Sequence, residues 1–342
     1  MSQTDGRSVY AAAGVDVAAG DAFVEEIRQA LAARMGDLLG WTGFGGAVEL
    51  PAGYARPVLV SATDGVGTKT EICRLLGRYD TIGRDLVAMC ADDVVCHGAR
   101  PLFFLDYLAV GRLDPERAAI LVAGVAQACA DIDCNLVGGE TAEHPGVMAP
   151  DQFDMAGFCV GIVERERLID GSASRVGDPI IGLASSGLHA NGYSLVRALL
   201  ADGRLALSDA LLEPTRLYAA HILALLEAAH ADGWRIGGIA HVTGGGLGNL
   251  VRAVGPAGQL GVEIEPRSWP VPAIVALVAE RAGMSGTEMR ATLNAGVGMA
   301  LVVEPDAAAT ALTLLERRGI EAWRIGTVRR VEELGGPYRE VA

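Results

Sequence analysis

Residues 61–70 read SATDGVGTKT, and the apolar run Val58, Leu59, Val60 leads straight into them. Such a run ending at a carboxylate and two spaced glycines predicts a strand that stops near Asp64 and hands the chain to a turn. Gly65 and Gly67 let the backbone approach a ligand closely or take φ > 0. Asp64 can ligate a hard cation, and Lys69 can neutralise phosphate. This is not a Walker loop, which needs four residues between its glycines where only Val66 stands here. Taken alone, the segment is equally well read as a plain turn.

Working outward, Phe23, Ile27 and Leu31 recur at helical spacing behind Gly20 and Asp21, which predicts a helix over 21–34. WTGFGG at 41–46 is too glycine-dense for regular structure and reads as a flexible cover or an ordinary loop. After the Asp64 turn the pattern predicts a helix over 84–99 carrying Asp92 and Asp93, then a strand over 102–110. A helix over 115–130, a short strand over 135–137, a loop over 138–146 and a strand over 155–163 follow. The segment 164–178, ERERLIDGSASRVGD, lacks an apolar period and marks a boundary. Two domains are expected, 1–168 and 169–342.

The second domain reads as a strand over 180–184, a loop over 185–192 and helices over 193–201 and 216–231. The turn 243–246, a helix over 272–282, a strand over 297–303, a helix over 306–317 and a strand over 324–328 complete it. This alternation predicts a mixed α/β or α+β layer in each half.

A 342-residue chain with 51% hydrophobic content can build a core in each domain. Its net charge of −14 argues against a broad grip on nucleic acid or an anionic membrane surface. Any phosphate must therefore be met locally, by metal ions, glycine amides and a few chosen cations. No apolar run approaches the roughly 18 residues of a membrane span, and the polar start MSQTDGRS predicts a cytoplasmic chain. The six cysteines form no C-x-x-C pair and read as small buried hydrophobes.

Asp64, Asp93 and Glu140 each break an otherwise apolar segment. If the fold brings them together, they and substrate phosphates would make a magnesium site; from spacing alone they are equally three capping or solvated acids. His189 lies in the 185–192 loop, SSGLHANG, where an exposed imidazole could move a proton and Ser185, Ser186 and nearby amides could hold an anion. A histidine bonded only to its own loop is the competing reading. His97 stands four residues after Asp93 and reads as its structural partner. His144, His221, His230 and His241 receive no role. Gly244, Gly245 and Gly246 suggest amides near a phosphate, or simple packing relief. No G-x-S-x-G or H-E-x-x-H occurs, which argues against a serine or zinc hydrolase.

Together these segments resemble the aminoimidazole ribonucleotide synthetase family, also called phosphoribosylformylglycinamidine cyclo-ligases. YAAAGVD (10–16), GFGG (43–46), TDGVGTK (63–69), DTIGRDLVAMC (80–90) and PLFFLDY (101–107) carry the resemblance in the first half. VGGETAEHPG (137–146), AGFCVG (156–161), SSGLHANGYSL (185–195) and HVTGGG (241–246) continue it, nearly over the full length. The resemblance implies an α+β enzyme of two domains, with N-terminal strands shared in a dimeric β-barrel and a C-terminal mixed sheet with helices. It implies ATP-driven ring closure of formylglycinamidine ribonucleotide, with ATP and Mg²⁺, and K⁺ as a candidate monovalent ion. Asp64, Asp93 and Glu140 would hold the metal and nucleotide phosphates. Gly43, Phe44, Gly45 and Gly46 would cover the nucleotide, which Gly65, Gly67, Thr68, Lys69, Gly138, Gly139 and Thr141 would also meet. Ser185, Ser186, His189, Asn191, Gly244, Gly245 and Gly246 would face the ribonucleotide, with His189, Asp64, Lys69 and Asp93 in catalysis.

The chain departs from the family pattern at Arg28 (usually Lys), Asp92 (Asn), His144 (Met) and Leu188 (Pro), and across 288–299, EMRATLNAGVGM. The altered 288–299 segment keeps open a paralogue that activates another carbonyl compound with ATP; a catalytically silent nucleotide-binding partner is a further alternative, against which intact Asp64, Lys69, Asp93 and Glu140 argue.

Overall fold

The computed structural model describes residues 45–255 and 257–341 of the 342. The helix predicted over 21–34, the departure at Arg28, and Gly43 and Phe44 fall outside the described residues. The rest forms two sheets with helices, a mixed α+β architecture.

The first sheet holds β1 (Pro57–Gly65), β2 (Arg100–Val110), β3 (Asn135–Glu143) and β4 (Phe153–Glu164) in the order β1-β4-β2-β3. β4 is antiparallel to β1 and β2, whereas β2 and β3 are parallel. A parallel pair needs a long crossover, here the helix α3 (Pro115–Ala130). Its start was legible because Pro115 is a good first residue and the Asp114 carboxylate accepts from the Arg117 N–H at 3.2 Å. Before it come α1 (Lys69–Leu76) and α2 (Ile82–Val95), and α2 lies against β4, β1 and α3.

The second sheet holds β5 (Pro179–Ala184), β6 (Ile236–His241), β7 (Leu260–Ile264), β8 (Val297–Val303), β9 (Ala322–Arg330) and β10 (Tyr338–Glu340), ordered β10-β7-β9-β5-β8-β6. Only the β10–β7 pairing is parallel. Its helices are α4 (Tyr193–Ala201), α5 (Ala219–Asp232), α6 (Ala273–Ala282), α7 (Gly286–Thr292), α8 (Ala308–Arg317) and α9 (Val331–Leu334). Every residue of β5, β6 and β8 is buried, and β5 and β8 read as continuous apolar runs. One hydrophobic cluster runs through both halves, from Leu86 and Val87 on α2 to Leu217 and Tyr218 ahead of α5.

The fold corrects one expectation that bears on function. The segment 138–141 is strand, because β2 pairs with β3 down to Val110 opposite Glu143. Tertiary pairing outweighs the weak strand propensity of Gly138 and Gly139. The sequence reading passes over β6, where two glycines and His241 interrupt the apolar residues of IGGIAH, and over β7 and β10, which are only five and three residues long.

Candidate active site

The β1 strand does end in the turn that its sequence predicts. Gly67 adopts φ +56, and Thr68 opens α1 directly before Lys69. Along β1 the side chains alternate; Val58, Val60 and Ala62 pack toward the core, and Asp64 continues that row. Asp93 projects from the last turn of α2, itself packed on β1, which brings it near enough to Asp64 at the end of that strand for the two charges to repel. Burial, the largest influence, raises the Asp64 pKa. The Gly65 N–H opposes this, repulsion from Asp93 adds to it, and the charge of His241 opposes it.

His241 ends β6 and joins the acids from the other half of the chain. Its Nδ1–H donates to Asp93 Oδ1 at 2.9 Å, while its buried Nε2 has no partner. Burial works against its charge, yet Asp93, Asp92 and Asp64 raise its pKa on balance. Asp93, His241, Ser61, Thr63, Asp170 and Arg252 face a cleft of about 380 Å³ between the halves. Sequence alone gives His241 no role, although its place just before the Thr243 to Gly246 turn is the available signal. His97, expected to pair with Asp93, instead places Nδ1 3.0 Å from the Ile169 carbonyl oxygen.

Glu140 does not join this group within one chain. The row Asp64, Gly157, Asp106, Gly139 crosses the sheet, and Glu140 falls in the next row, with Gly65, Ala156 and Tyr107. Alternation turns Glu140 to the opposite face, three strands from Asp64. Among the described residues no group of three His, Cys, Asp or Glu side chains is set to hold a metal. Two carboxylates near enough to feel each other's charge nevertheless suit Mg²⁺, which takes one or two from a protein and fills its shell with phosphate and water. Gly46 lies against the start of β3, where an added Cβ would stand 2.6 Å from the Val137 carbonyl oxygen. The described end of the GFGG segment therefore adjoins Gly138 to Thr141, and Gly45 is exposed beside it.

Two residues expected to meet ligand are buried instead. Lys69 is fully enclosed, and its three donors go to Asp85 Oδ1 (2.8 Å), the His189 carbonyl (3.0 Å) and the Glu213 carbonyl (2.8 Å). None is left for a phosphate. His189 is also buried rather than exposed; Ser186 N–H donates to its Nε2 at 3.2 Å, and its Nδ1 has no partner. Burial, with nearby His241, Lys69 and Arg216, pushes its pKa well below the ordinary value, so the ring is neutral. The Ser185 hydroxyl donates to the Gly187 carbonyl (3.0 Å) and the Ser186 hydroxyl to the Pro214 carbonyl (2.6 Å), so both serines fasten the loop.

The 185–192 loop and the glycine turn do come together: a Cβ at Gly244 would stand 3.5 Å from Asn191 Oδ1. Gly245 faces open space, whereas Gly246 packs so tightly that its Cβ would stand 2.1 Å from the Arg290 carbonyl oxygen. Asp92, where the family pattern has Asn, is wholly buried and accepts from Tyr218 N–H at 3.0 Å. Burial pushes its carboxyl up to about 7, so a protonated Asp92 can fill the place of the neutral amide.

Comparison with known proteins places the chain in a family. The family described as "AIR synthase related protein, N-terminal domain" matches residues 46–163, and its C-terminal counterpart matches residues 175–337. The chain is 48% identical over 337 residues to a phosphoribosylformylglycinamidine cyclo-ligase of Myxococcus xanthus, covering 94% of this chain and 96% of the relative. The corresponding protein of Thermosynechococcus vestitus is 47% identical over 332 residues, covering 93% and 96%. A solved hydrogenase maturation protein HypE in complex with ATP aligns with TM-score 0.64 and 20% identity over 91% of this chain and 88% of that one, a likeness of fold alone. Matched in both halves and nearly half identical to relatives over 96% of their length, the chain belongs to the AIR synthase related family.

Proposed function

We propose that this protein is an ATP-dependent cyclo-ligase that converts formylglycinamidine ribonucleotide to aminoimidazole ribonucleotide, ADP and phosphate. The observation that carries this is near-half identity, over 93–94% of the chain, to relatives named phosphoribosylformylglycinamidine cyclo-ligase. An amide oxygen is a poor leaving group. ATP phosphorylates the formyl oxygen, the substrate's own nitrogen attacks that carbon, and the oxygen departs within inorganic phosphate. Protein catalysis of this kind is positioning and charge neutralisation.

In this reading Asp64 and Asp93 hold Mg²⁺, whose chemistry is to offset the charge of the nucleotide phosphates. His241 orients Asp93 through its 2.9 Å hydrogen bond. The GFGG segment and Gly138 to Thr141 serve the nucleotide, and the 185–192 loop with Gly244 to Gly246 serves the ribonucleotide. Residues 1–168 and 169–342 are the two working units, in a cytoplasmic homodimer, with K⁺ a candidate further ion. Support for pairing comes from Leu59, Tyr107 and Phe158, exposed together on the sheet face turned away from α2, the face that also carries Glu140. A second copy covering that face would close the barrel and bring Glu140 into an interface.

Purified protein given formylglycinamidine ribonucleotide, ATP and Mg²⁺ is expected to release ADP only when all three are present. No substrate-dependent release, or faster turnover of another carbonyl compound, overturns the reading. Asp64→Asn is expected to weaken Mg²⁺-nucleotide binding by roughly tenfold or more in calorimetry while leaving the melting temperature in place.

A further inference from the structure

Of the chain's 28 basic residues, 27 are arginine and one is lysine, Lys69. That single lysine is fully buried between the two halves. Its acceptors, Asp85 Oδ1 and the carbonyls of His189 and Glu213, converge from three segments, two of them 120 and 144 residues away. Three donors on a compact tetrahedral ammonium fit three converging oxygens; a planar guanidinium does not. We infer that Lys69 is a positioning residue that clamps the His189 loop of the C-terminal half onto helix α2, and that it makes no contact with nucleotide phosphate.

The structure around it supports that role. His189 holds φ +63, a conformation a non-glycine side chain keeps only when its surroundings enforce it. Here the enforcement is the Lys69 bond to its carbonyl, the Ser186 N–H on its ring, and the wall made by Gly298 and Tyr218. Asp85, Lys69's partner, also accepts from Thr215 N–H (2.8 Å) and the Thr215 hydroxyl (2.5 Å). Asp85, Met89 and Asp92 share one face of α2 at helical spacing, and that face reaches Thr215, Asn191 and Tyr218 in turn. The next residue, Asp93, meets His241. One helix thus carries Asp93 of the proposed metal site and Asp85, the partner of the clamp, which fixes the spacing between that site and the ribonucleotide loop.

This inference rests on the cyclo-ligase reading only for its kinetic arm. Because the lysine is unique, protein labelled with ¹⁵N-lysine shows a single side-chain ammonium signal. We expect that signal in the wild-type full chain to exchange slowly with water and to hold its position as ATP and Mg²⁺ are titrated. A fast-exchanging signal, or one that moves with bound nucleotide, overturns the inference whatever reaction the protein performs. The paired variant Lys69→Met/Asp85→Asn removes the clamp without leaving a lone buried charge. It should shift the His189 ring resonances and lower kcat at least tenfold, with KM for ATP within twofold. Lys69→Arg should fail to restore either. A tenfold rise in KM for ATP with unmoved His189 resonances identifies a phosphate ligand instead. Absence of wild-type turnover refutes the cyclo-ligase reading and leaves the ammonium measurement to decide this one.

Discussion

Replacing Gly298 with alanine tests the packing that confines His189. Gly298 lies on β8, and a Cβ there would stand 2.1 Å from Tyr218 Oη and 2.4 Å from His189 Cε1. Both distances fall about 1 Å or more short of van der Waals contact, and neither ring has free space, since Tyr218 and His189 are fully buried. Overpacking of this kind costs about 1–3 kcal/mol. Moving Tyr218 also breaks its 2.8 Å bond to the Ala184 carbonyl, leaving buried polar groups unmatched at a further cost of about 1–3 kcal/mol. Together these amount to ~2–6 kcal/mol, or a fall in melting temperature on the order of 10 °C.

Thermal unfolding followed by circular dichroism, with turnover measured on the same samples, checks this. Tyr218→Phe removes the nearest atom. The double variant should therefore be more stable than the two single effects predict, by roughly 1 kcal/mol. Gly248→Ala, where an added Cβ meets nothing within 4 Å, is the control and should melt like the wild type. An unchanged melting temperature for Gly298→Ala, or strict additivity with Tyr218→Phe, would refute the claim that these atoms are in contact.

Asp106 provides a pH test away from the acid pair. Burial pushes its carboxyl up to about 7, against an unfolded value of about 3.9. The folded state therefore keeps its proton longer than the unfolded state. Its contribution to stability is full below about pH 4, is lost progressively toward pH 7 and is constant above, a span of ~4 kcal/mol. Asp106→Asn should remove that slope, so the difference between wild-type and variant denaturant curves should grow from pH 4 to 7; a pH-independent difference refutes it. In the second half, Asp178 is almost fully buried and takes both Arg235 terminal nitrogens, at 2.7 and 2.9 Å. Asp178→Ala should cost ~3 kcal/mol in chemical denaturation, and a loss below about 1 kcal/mol would show that water replaces the carboxylate.

Much of the local structure was legible because its causes are local. α3 and α4 begin and end where the sequence places them, over 115–130 and 193–201, and β8 coincides with its apolar run. The Asp64 turn follows from its glycines, and the position of Asp93 on a helix from the period around it. Family membership too was legible, since it lives in the order of motifs along the chain.

What the line of residues leaves open is which distant groups meet. Asp93 finds His241 rather than His97, 148 residues on instead of four, because α2 packs against β6 as well as β1. Glu140 turns away from Asp64 because the register of β2 on β3 fixes the parity of every side chain, and a shift of one residue would reverse it. Lys69 looks like a phosphate ligand beside its glycines, yet the fold closes over it and supplies three oxygens from elsewhere in the chain. Backbone preference acts over a few residues. The choice of partners belongs to packing, which joins segments by shape and by satisfying buried charge, and only the folded chain carries that information.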